Sequence, residues 1–278
     1  MNLFLFTGIV LLSSVGAGLV GALTGLGGGI VVTPVLTLLL GVDIRYAIGA
    51  SLVSVIATSS GAAAAYVRDG LSNVRIGIFL EVATTLGAIC GALISRKVPT
   101  SLLAIIFGVV LLHSAWQASQ TRVETSVVAS QGAFAKRLRL GGTYRTEDGQ
   151  VDYTVSREGA GLGLMYLAGL ISGLLGIGSG ALKVIAMDRV MGLPFKVSTA
   201  TSSFMIGVTA VASAAIYFQR GYILPQMAVP VMMGVLAGSM LGARLLPRLP
   251  VKVLRRIFAI VVALIAFQMM VKGIQESL

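Results

Sequence analysis

The sequence is poor in charged residues, since only 11% of its 278 residues are Asp, Glu, Lys or Arg, against about 25% in soluble domains. This scarcity excludes an ordinary soluble enzyme. Hydrophobic residues make up 56% of the chain, and its mean hydropathy is +0.95. A helix needs about 20 apolar residues to cross a hydrocarbon core ~30 Å thick, so about eight to ten such segments would use most of the chain. We therefore predict an all-α polytopic membrane protein.

Cysteine and histidine are nearly absent, with one of each, Cys90 and His113. This excludes a disulfide framework and a cysteine-rich metal site. The chain also lacks a nucleophile paired with a base, paired carboxylates and a phosphate-binding loop of the GxxxxGK[ST] kind. We therefore expect no enzymatic activity, no cofactor, no metal and no nucleotide-driven pump.

The charges that are present lie between apolar runs. The net charge is +11, from 21 basic and 10 acidic residues, which in a soluble protein would suggest nucleic acid. In this setting it indicates membrane topology instead. Glycine is abundant, with 35 residues, which is typical of closely packed helices in lipid.

The chain contains an internal duplication, because its two halves align without a gap at a constant offset of 151 residues. The motif GLGGG, Gly25 to Gly29, falls on GIGSG, Gly176 to Gly180. Other matched pairs are Gly41 with Gly192, Thr58 with Thr209, Tyr66 with Tyr217, Gly70 with Gly221, and Pro99 with Pro250. A register kept over about 100 residues indicates repeat architecture.

Each half is predicted to have a long apolar run, a short apolar piece after the glycine motif, and three full-length spans. The segments are 3–24, 30–40, 46–66, 76–95 and 101–118, and then 160–175, 181–191, 197–218, 223–245 and 253–271. Eleven helical residues reach only about 16 Å, roughly half the hydrocarbon thickness. The short pieces are therefore predicted to be half-helices of re-entrant or broken hairpins, whose glycine tips lie deep in the membrane.

The distribution of Lys and Arg predicts the orientation. Lys183 is set aside as intramembrane, which leaves 20 of the 21 basic residues to place. If each hairpin returns to its side of entry, each half crosses three times and the halves are inverted, so these residues divide 15 to 5. If each hairpin crosses once, they divide 10 to 10. The positive-inside rule favours the inverted arrangement. In that arrangement the protein spans the cell inner membrane and both termini lie outside the cytoplasm.

Three regions follow from this pattern: a first membrane repeat at 1–118, a cytoplasmic linker at 119–159, and a second membrane repeat at 160–278. In the linker, residues 138–145 and 150–157 alternate in polarity around Asp148-Gly149, which is a hairpin turn signal. We predict a small β-hairpin that serves either as a plain connector or as a regulatory element.

The stretches GLVGALTGLGGGIVVTPVL and GLISGLLGIGSGALKVIAMDRVMGLPFKVSTATSSFMIGVTA resemble the TauE/SafE sulfite exporter family, also called DUF81 or TSUP. The resemblance covers both repeats. It implies transport of small anions such as sulfite or organosulfonates across the inner membrane. The second motif departs from GxGGG because Ser179 replaces a glycine.

The glycine tips are the first candidate substrate site. Glycine lets the backbone approach a ligand closely, and the amide donors at a helix start carry partial positive charge. Two inverted copies would bring two such ends together near the midplane, although the glycines could instead serve only helix packing. The candidate residues are Gly25, Gly27, Gly28, Gly29, Gly176, Gly178, Ser179 and Gly180.

Side chains near the tips extend this site. The hydroxyls of Ser51, Thr201 and Ser202 could donate to an oxyanion or bond their own helices. Lys183 and Glu81 are the ionisable residues expected inside the membrane, where charges usually pair or line a pathway. Lys183 is assigned to substrate binding, and Glu81 to proton coupling or to an ion pair.

These observations favour a secondary transporter for a small anion. The alternatives are a passive anion channel and a non-transporting membrane scaffold or sensor. The expected partners are a small anionic substrate, the lipid bilayer and a coupled proton, with no nucleic acid.

Overall fold

The fold is described from a computed structural model for residues 3–24, 29–68, 70–119, 133–138, 140–146, 149–245 and 251–276. The first half contains α1 (Leu3–Thr24), α2 (Gly29–Leu39), α3 (Ile44–Arg68), α4 (Val74–Ile94) and α5 (Thr100–Ser119). The linker contains α6 (Ala133–Arg137), β1 (Gly142–Thr146) and β2 (Gly149–Tyr153). The second half contains α7 (Glu158–Leu175), α8 (Gly180–Ile185), a π-helical turn (Ala186–Val190), α9 (Phe195–Gln219), α10 (Pro225–Leu245) and α11 (Val251–Gln275).

Four of these helices, α3, α4, α7 and α9, are long and apolar enough to cross a membrane, and further apolar helical stretches accompany them. The prediction of an all-α polytopic membrane protein is confirmed. When the π-helical turn is counted with α8, the helix bounds lie within four residues of the apolar segments read from the sequence. The segments were recognisable because their apolar runs end at glycine, proline or charge.

The two halves share their helix bounds at the same offset. Helix α3 begins at Ile44 and α9 at Phe195, while α4 ends at Ile94 and α10 at Leu245, and both pairs are 151 residues apart. The same offset separates the starts of α2 and α8 and those of α5 and α11. The duplication therefore extends from the sequence to the positions at which helices start and stop.

Packing between the halves is reciprocal. Helix α1 packs on α10, and α7, its equivalent, packs on α4, while α3 packs on α9 and α5 on α11. A methyl group at Gly87 would collide with the Tyr166 carbonyl oxygen, and one at the equivalent Gly238 would collide with that of Val15. Glycine lets these helices approach backbone to backbone, as in other membrane helix pairs.

The close contacts also fix helix directions. In the α5–α11 pair, Gly108 lies against Ala266 and Gly273 lies against Ser101. One residue number falls as the other rises, so these two equivalent helices run antiparallel. In the α4–α7 pair, Gly169 lies against Thr84 and Gly173 against Ala88, so these helices run parallel.

The linker strands form an antiparallel pair with Gly142 opposite Tyr153 and Thr146 opposite Gly149. These strands are shorter than the alternating pattern suggested, because backbone groups next to them form hydrogen bonds with other parts of the protein. The Leu140 carbonyl accepts from Asn73 Nδ2 at 3.0 Å, and Ser156 N–H donates to the Met191 carbonyl at 3.1 Å. These bonds end the ladder and tie it to the membrane helices.

The linker shares a buried apolar cluster with the membrane helices. Ala135, Leu140 and Val155 of the linker pack with residues of α4, α7, α9 and the π-helical turn. Asn73 Nδ2 also donates to the Tyr153 hydroxyl at 2.7 Å. Burial raises the pKa of the Tyr153 phenol above its usual value, although this hydrogen bond acts in the opposite direction. The hairpin is therefore attached by both apolar and polar contacts.

Candidate functional site

The second glycine tip connects α7 to α8 through left-handed backbone. Gly176 has φ 67°, Gly178 has φ 72° and Ser179 has φ 45°. The Gly176 N–H closes α7 by donating to the Ser172 carbonyl at 2.8 Å. Glycine adopts this conformation without steric cost, whereas Ser179 pays about 1–2 kcal/mol for it. A residue held in such a conformation identifies the tip as a locally strained site.

The space around this tip is closely walled. A methyl group at Gly178 would lie 2.8 Å from Ile206 Cγ2 and 3.3 Å from Val55 Cγ1. One at Gly180 would lie 2.6 Å from Ile206 Cδ1. Helices α3 and α9 therefore form the walls, and larger side chains would displace them.

The first tip lies partly outside the described residues. This applies to Gly25, Gly27 and Gly28, while Gly29 is described as the first residue of α2. A methyl group at Gly29 would lie 2.9 Å from Ser51 Oγ and 3.6 Å from the Gly176 carbonyl oxygen. The start of α2 is thus close to the end of α7, and the two broken hairpins meet.

Equivalent serines hold the two half-helix starts. Ser51 Oγ donates to the Gly29 carbonyl at 2.9 Å or to the Gly176 carbonyl at 3.1 Å. Ser202 Oγ donates to the Gly180 carbonyl at 3.3 Å. Ser51 and Ser202 are 151 residues apart, as are Gly29 and Gly180. The duplication has kept this contact on both sides.

Ser179 adds an unused hydrogen-bonding group to the tip. Its side chain is 4% exposed, and its hydroxyl has no hydrogen-bond partner among the residues that the structure describes. A buried polar group usually has a partner, because an unmade hydrogen bond costs about 1–3 kcal/mol. The hydroxyl is therefore available to a ligand.

Lys183 lies one turn into α8 and is fully buried. Its ammonium donates to Thr209 Oγ1 at 2.6 Å, and this hydroxyl lies 2.6 Å from Glu81 Oε1. Thr209 thus links the ammonium of α8 to the carboxylate of α4. Burying such charges is costly unless they are compensated and hydrogen-bonded.

Two further threonines hold the carboxylate. Thr84 Oγ1 lies 3.1 Å from Glu81 Oε2, and Thr85 Oγ1 lies 3.0 Å from Oε1. Both are one turn along α4 from Glu81, where side chains share a face. Sequence analysis did not assign Thr209, Thr84 or Thr85 to the site, although the repeat match of Thr58 with Thr209 was a usable signal.

Thr201 has a different neighbour. Its hydroxyl oxygen accepts from the Asn73 N–H at 3.0 Å. It therefore joins the start of α9 to the loop that precedes α4. Among the described candidates, the structure groups Gly29, Gly176, Gly178, Ser179, Gly180, Ser51 and Ser202 around the tips, and Lys183 with Glu81 one turn deeper.

Comparisons with known proteins agree with this architecture. The model of the sulfite exporter TauE/SafE family matches residues 10–269. The probable membrane transporter protein YunE of Bacillus subtilis is 29% identical over 268 residues, which cover 93% of this chain and 95% of YunE. The probable membrane transporter protein YdhB of the same organism is 27% identical over 239 residues, which cover 86% and 89%. No solved structure matches the chain significantly. The chain therefore belongs to the sulfite exporter TauE/SafE family and is a multi-pass membrane transporter.

Proposed function

We propose that the protein is a secondary transporter for a small anion, such as sulfite or an organosulfonate, held at the tips of the two half-helices. The observation that carries the proposal is the second tip, where an unpartnered Ser179 hydroxyl lies one helical turn before the buried Lys183 ammonium. A small oxyanion needs such donors. The first amides of a helix have no intrahelical partner and favour negative charge.

In this proposal the residues have separate roles. Ser179 and the amides of the glycine tips bind the anion, and Lys183 supplies the compensating charge, which strengthens each contact in a low-dielectric cavity. Ser51 and Ser202 hold the half-helix starts in place. Thr201 holds the adjoining loop.

Glu81 is proposed to couple transport to a proton. The carboxylate attracts Lys183 through Thr209. Protonation of Glu81 would remove that attraction and leave the ammonium free to favour an anion. Anion and proton would then bind together, which is the condition for coupled movement. An ion pair without a transported proton is the competing role for the same residues.

We further propose that the two halves are inverted in an inner membrane, with the linker at 119–159 in the cytoplasm between repeats at 1–118 and 160–278, and both termini outside. The antiparallel α5–α11 pair supports this, because equivalent helices run in opposite directions only when the repeats are inverted. The 15 to 5 charge distribution supports the side assignment.

Anion affinity tests the proposed site. Isothermal calorimetry of purified protein with sulfite, sulfate, thiosulfate and sulfoacetate should give at least tenfold weaker binding in Lys183→Met, or about 1.4 kcal/mol. Lys183→Arg should retain part of the affinity. Val32→Met, the matching change in the first half, is the control and should bind normally. Unchanged affinity in Lys183→Met would remove the lysine from the site.

The pH dependence of flux in proteoliposomes tests the coupling role. Glu81→Gln should abolish it while anion binding persists. If flux in Glu81→Gln still varies with pH as in the parent protein, Glu81 carries no transported proton.

Cysteine labelling tests the orientation. In a Cys90→Ala background, Thr143→Cys in β1 should resist an impermeant thiol reagent applied to intact cells, whereas Lys97→Cys should react. The reverse pattern contradicts the proposed topology.

A further inference from the structure

A cavity of about 320 Å³ lies between the linker hairpin and the loop that joins α3 to α4. We call it the linker-side cavity. Its lining includes Leu71, Ser72, Asn73 and Arg75 from the membrane repeat, and Tyr144 and Tyr153 from the hairpin. Its volume is enough for a small molecule with several waters.

The lining favours a negatively charged ligand. Arg75 is the one charged residue in the described lining. The Ser72 hydroxyl is buried without a hydrogen-bond partner among the described residues. Arg75 also lies in the first turn of α4, a 21-residue helix whose N-terminal end favours anions, although the Ile76 N–H in that turn is already capped by Asn73 Oδ1 at 3.2 Å. A positive charge and an unused hydroxyl therefore line one cavity.

The opposite end of the molecule shows why this cavity exists. The repeat offset places Tyr222 at the position of Leu71, and Tyr46 at that of Val197, which also lines the cavity. Tyr46 and Tyr222 stack in a T-shaped pair with ring centroids 5.5 Å apart. Two aromatic rings thus fill one end, whereas two aliphatic side chains leave space at the other.

Helix α9 connects the linker-side cavity to the second glycine tip. The loop residue Asn73 contacts Thr201 of α9 through the bond described above, and the next residue, Ser202, bonds Gly180 at the tip. Val197 and Ser202 are separated along α9 by about 7.5 Å. An anion in the cavity would thus be within about two helical turns of the proposed tip site.

The hairpin lines part of this cavity and is hydrogen-bonded to the loop between α3 and α4, which lines another part. Asn73 Nδ2 reaches both the Leu140 carbonyl and the Tyr153 hydroxyl. A methyl group at Gly142 would lie 2.9 Å from the Tyr153 oxygen, so the hairpin fits closely. The hairpin and the membrane repeat therefore both line this cavity, which is open to its surroundings.

We propose that the linker-side cavity is a second binding site for a small oxyanion, held by Arg75 and Ser72 beneath the hairpin and separate from the glycine tips. It serves as a vestibule through which the anion passes between the linker side and the tip. Only the class of its ligand rests on the proposed anion transport.

Calorimetry of the full chain in lipid nanodiscs, with sulfite, sulfate, thiosulfate and sulfoacetate, tests this site. At least one anion should titrate two sites. Arg75→Gln, which installs the residue found at the equivalent Gln226, should weaken one site about tenfold. Leu71→Tyr, which supplies the aromatic ring of the opposite end, should abolish the same site. Arg137→Gln, an exposed change on the linker outside the described cavity lining, is the control and should leave both sites unchanged.

The outcomes separate this proposal from the tip site. A site that is sensitive to Arg75→Gln but not to Lys183→Met supports the vestibule, even if Lys183→Met affects nothing and the tip proposal fails. Isotherms that Arg75→Gln leaves unchanged for every anion overturn the vestibule, as does the absence of binding by all four anions. Arg75 is exposed, so its variant remains informative if Leu71→Tyr does not fold.

Discussion

The two half-helices α2 and α8 start at equivalent positions and are held by equivalent serines, yet they differ in helix type and in their charged residues. Helix α2 continues as an α-helix to Leu39 with Pro34 inside it, whereas α8 gives way to a π-helical turn at Ala186. At the position of Lys183 the first half has Val32, and at that of Glu81 the second half has Met232. The duplication preserved the starts of the two half-helices, while each charge occurs in one half only, Glu81 in the first and Lys183 in the second.

The matched threonines show the same difference within one residue type. Thr58 Oγ1 donates to carbonyls of its own helix, at 3.0 Å to Ser54 or 3.3 Å to Val55. Thr209 keeps the equivalent contact, 2.8 Å from the Met205 carbonyl, but also joins Lys183 to Glu81. A hydroxyl that only satisfies its helix in one half thus becomes a bridge between charges in the other.

The largest expected effect comes from giving each buried charge the apolar residue found at its equivalent position in the other half. Lys183→Val and Glu81→Met should each lower the free energy of unfolding by about 3–5 kcal/mol, because each leaves one buried charge without compensation. The double variant should regain most of that stability, since apolar pairs often replace buried ion pairs at little cost. Thermal unfolding of the purified variants measures this.

Transport should not recover in the double variant, because the charge that compensates the anion is gone. Proteoliposome flux provides this second measurement. If the two stability losses add, the residues do not act as a pair, because coupled residues are non-additive.

The next prediction distinguishes two costs of replacing a glycine, namely the loss of space for a ligand and the strain of a left-handed backbone. Gly178→Ala should stop transport and lower stability by about 2–4 kcal/mol, from left-handed strain and crowding against Ile206. Gly41→Ala is the control, since Gly41 has φ 65° but open space around it. It should lose only the strain energy, about 1–2 kcal/mol, and should keep its flux.

Equal flux in the folded Gly178→Ala and Gly41→Ala variants would return the tip glycine to a packing role.

A smaller effect is expected when the second tip is made to resemble the first. Ser179→Gly installs the residue found at the equivalent Gly28. Anion affinity should fall about three- to tenfold, because one hydrogen bond contributes about 0.5–1.5 kcal/mol. Stability should change by less than about 1 kcal/mol, because relief of strain offsets the added freedom of the unfolded chain. Calorimetry that shows unchanged affinity would exclude the hydroxyl as a ligand.

The smallest effect on transport should come from the hairpin attachment. Tyr153→Phe removes the acceptor of the Asn73 bond, worth about 1 kcal/mol, and should speed hydrogen exchange of residues 142–153 about fivefold. Flux should change little. Tyr144→Phe, on the neighbouring strand, is the control. Equal exchange in both variants would show that the apolar cluster alone holds the hairpin.

Sequence reasoning located the elements well because membrane helices depend on local composition. Apolar runs and their glycine or proline boundaries marked each helix, and the ungapped offset marked the repeat. Lys183 and Glu81 stood out because ionisable residues are rare in such runs. These properties require no knowledge of how the helices pack.

The contacts between helices could not be predicted in the same way. The Thr209 bridge depends on how α9 is rotated against α4 and α8, which one sequence does not determine. The contact of Thr201 with the loop, in which its hydroxyl oxygen accepts from the Asn73 N–H, depends on packing in the same way. The strand lengths also depended on remote partners, since Asn73 and Met191 take up the flanking backbone groups.

The antiparallel α5–α11 pair bears on the ancestry of this chain. Because these helices are equivalent, an ancestor with a single repeat could form the pair only if two copies inserted in opposite orientations. Such an ancestor would need nearly balanced Lys and Arg on its two sides, since an excess on one side favours a single orientation. Fusion into one chain removes that requirement, because each half is then oriented by the other. The 15 to 5 distribution that the proposed topology gives is an imbalance of the kind that fusion would permit.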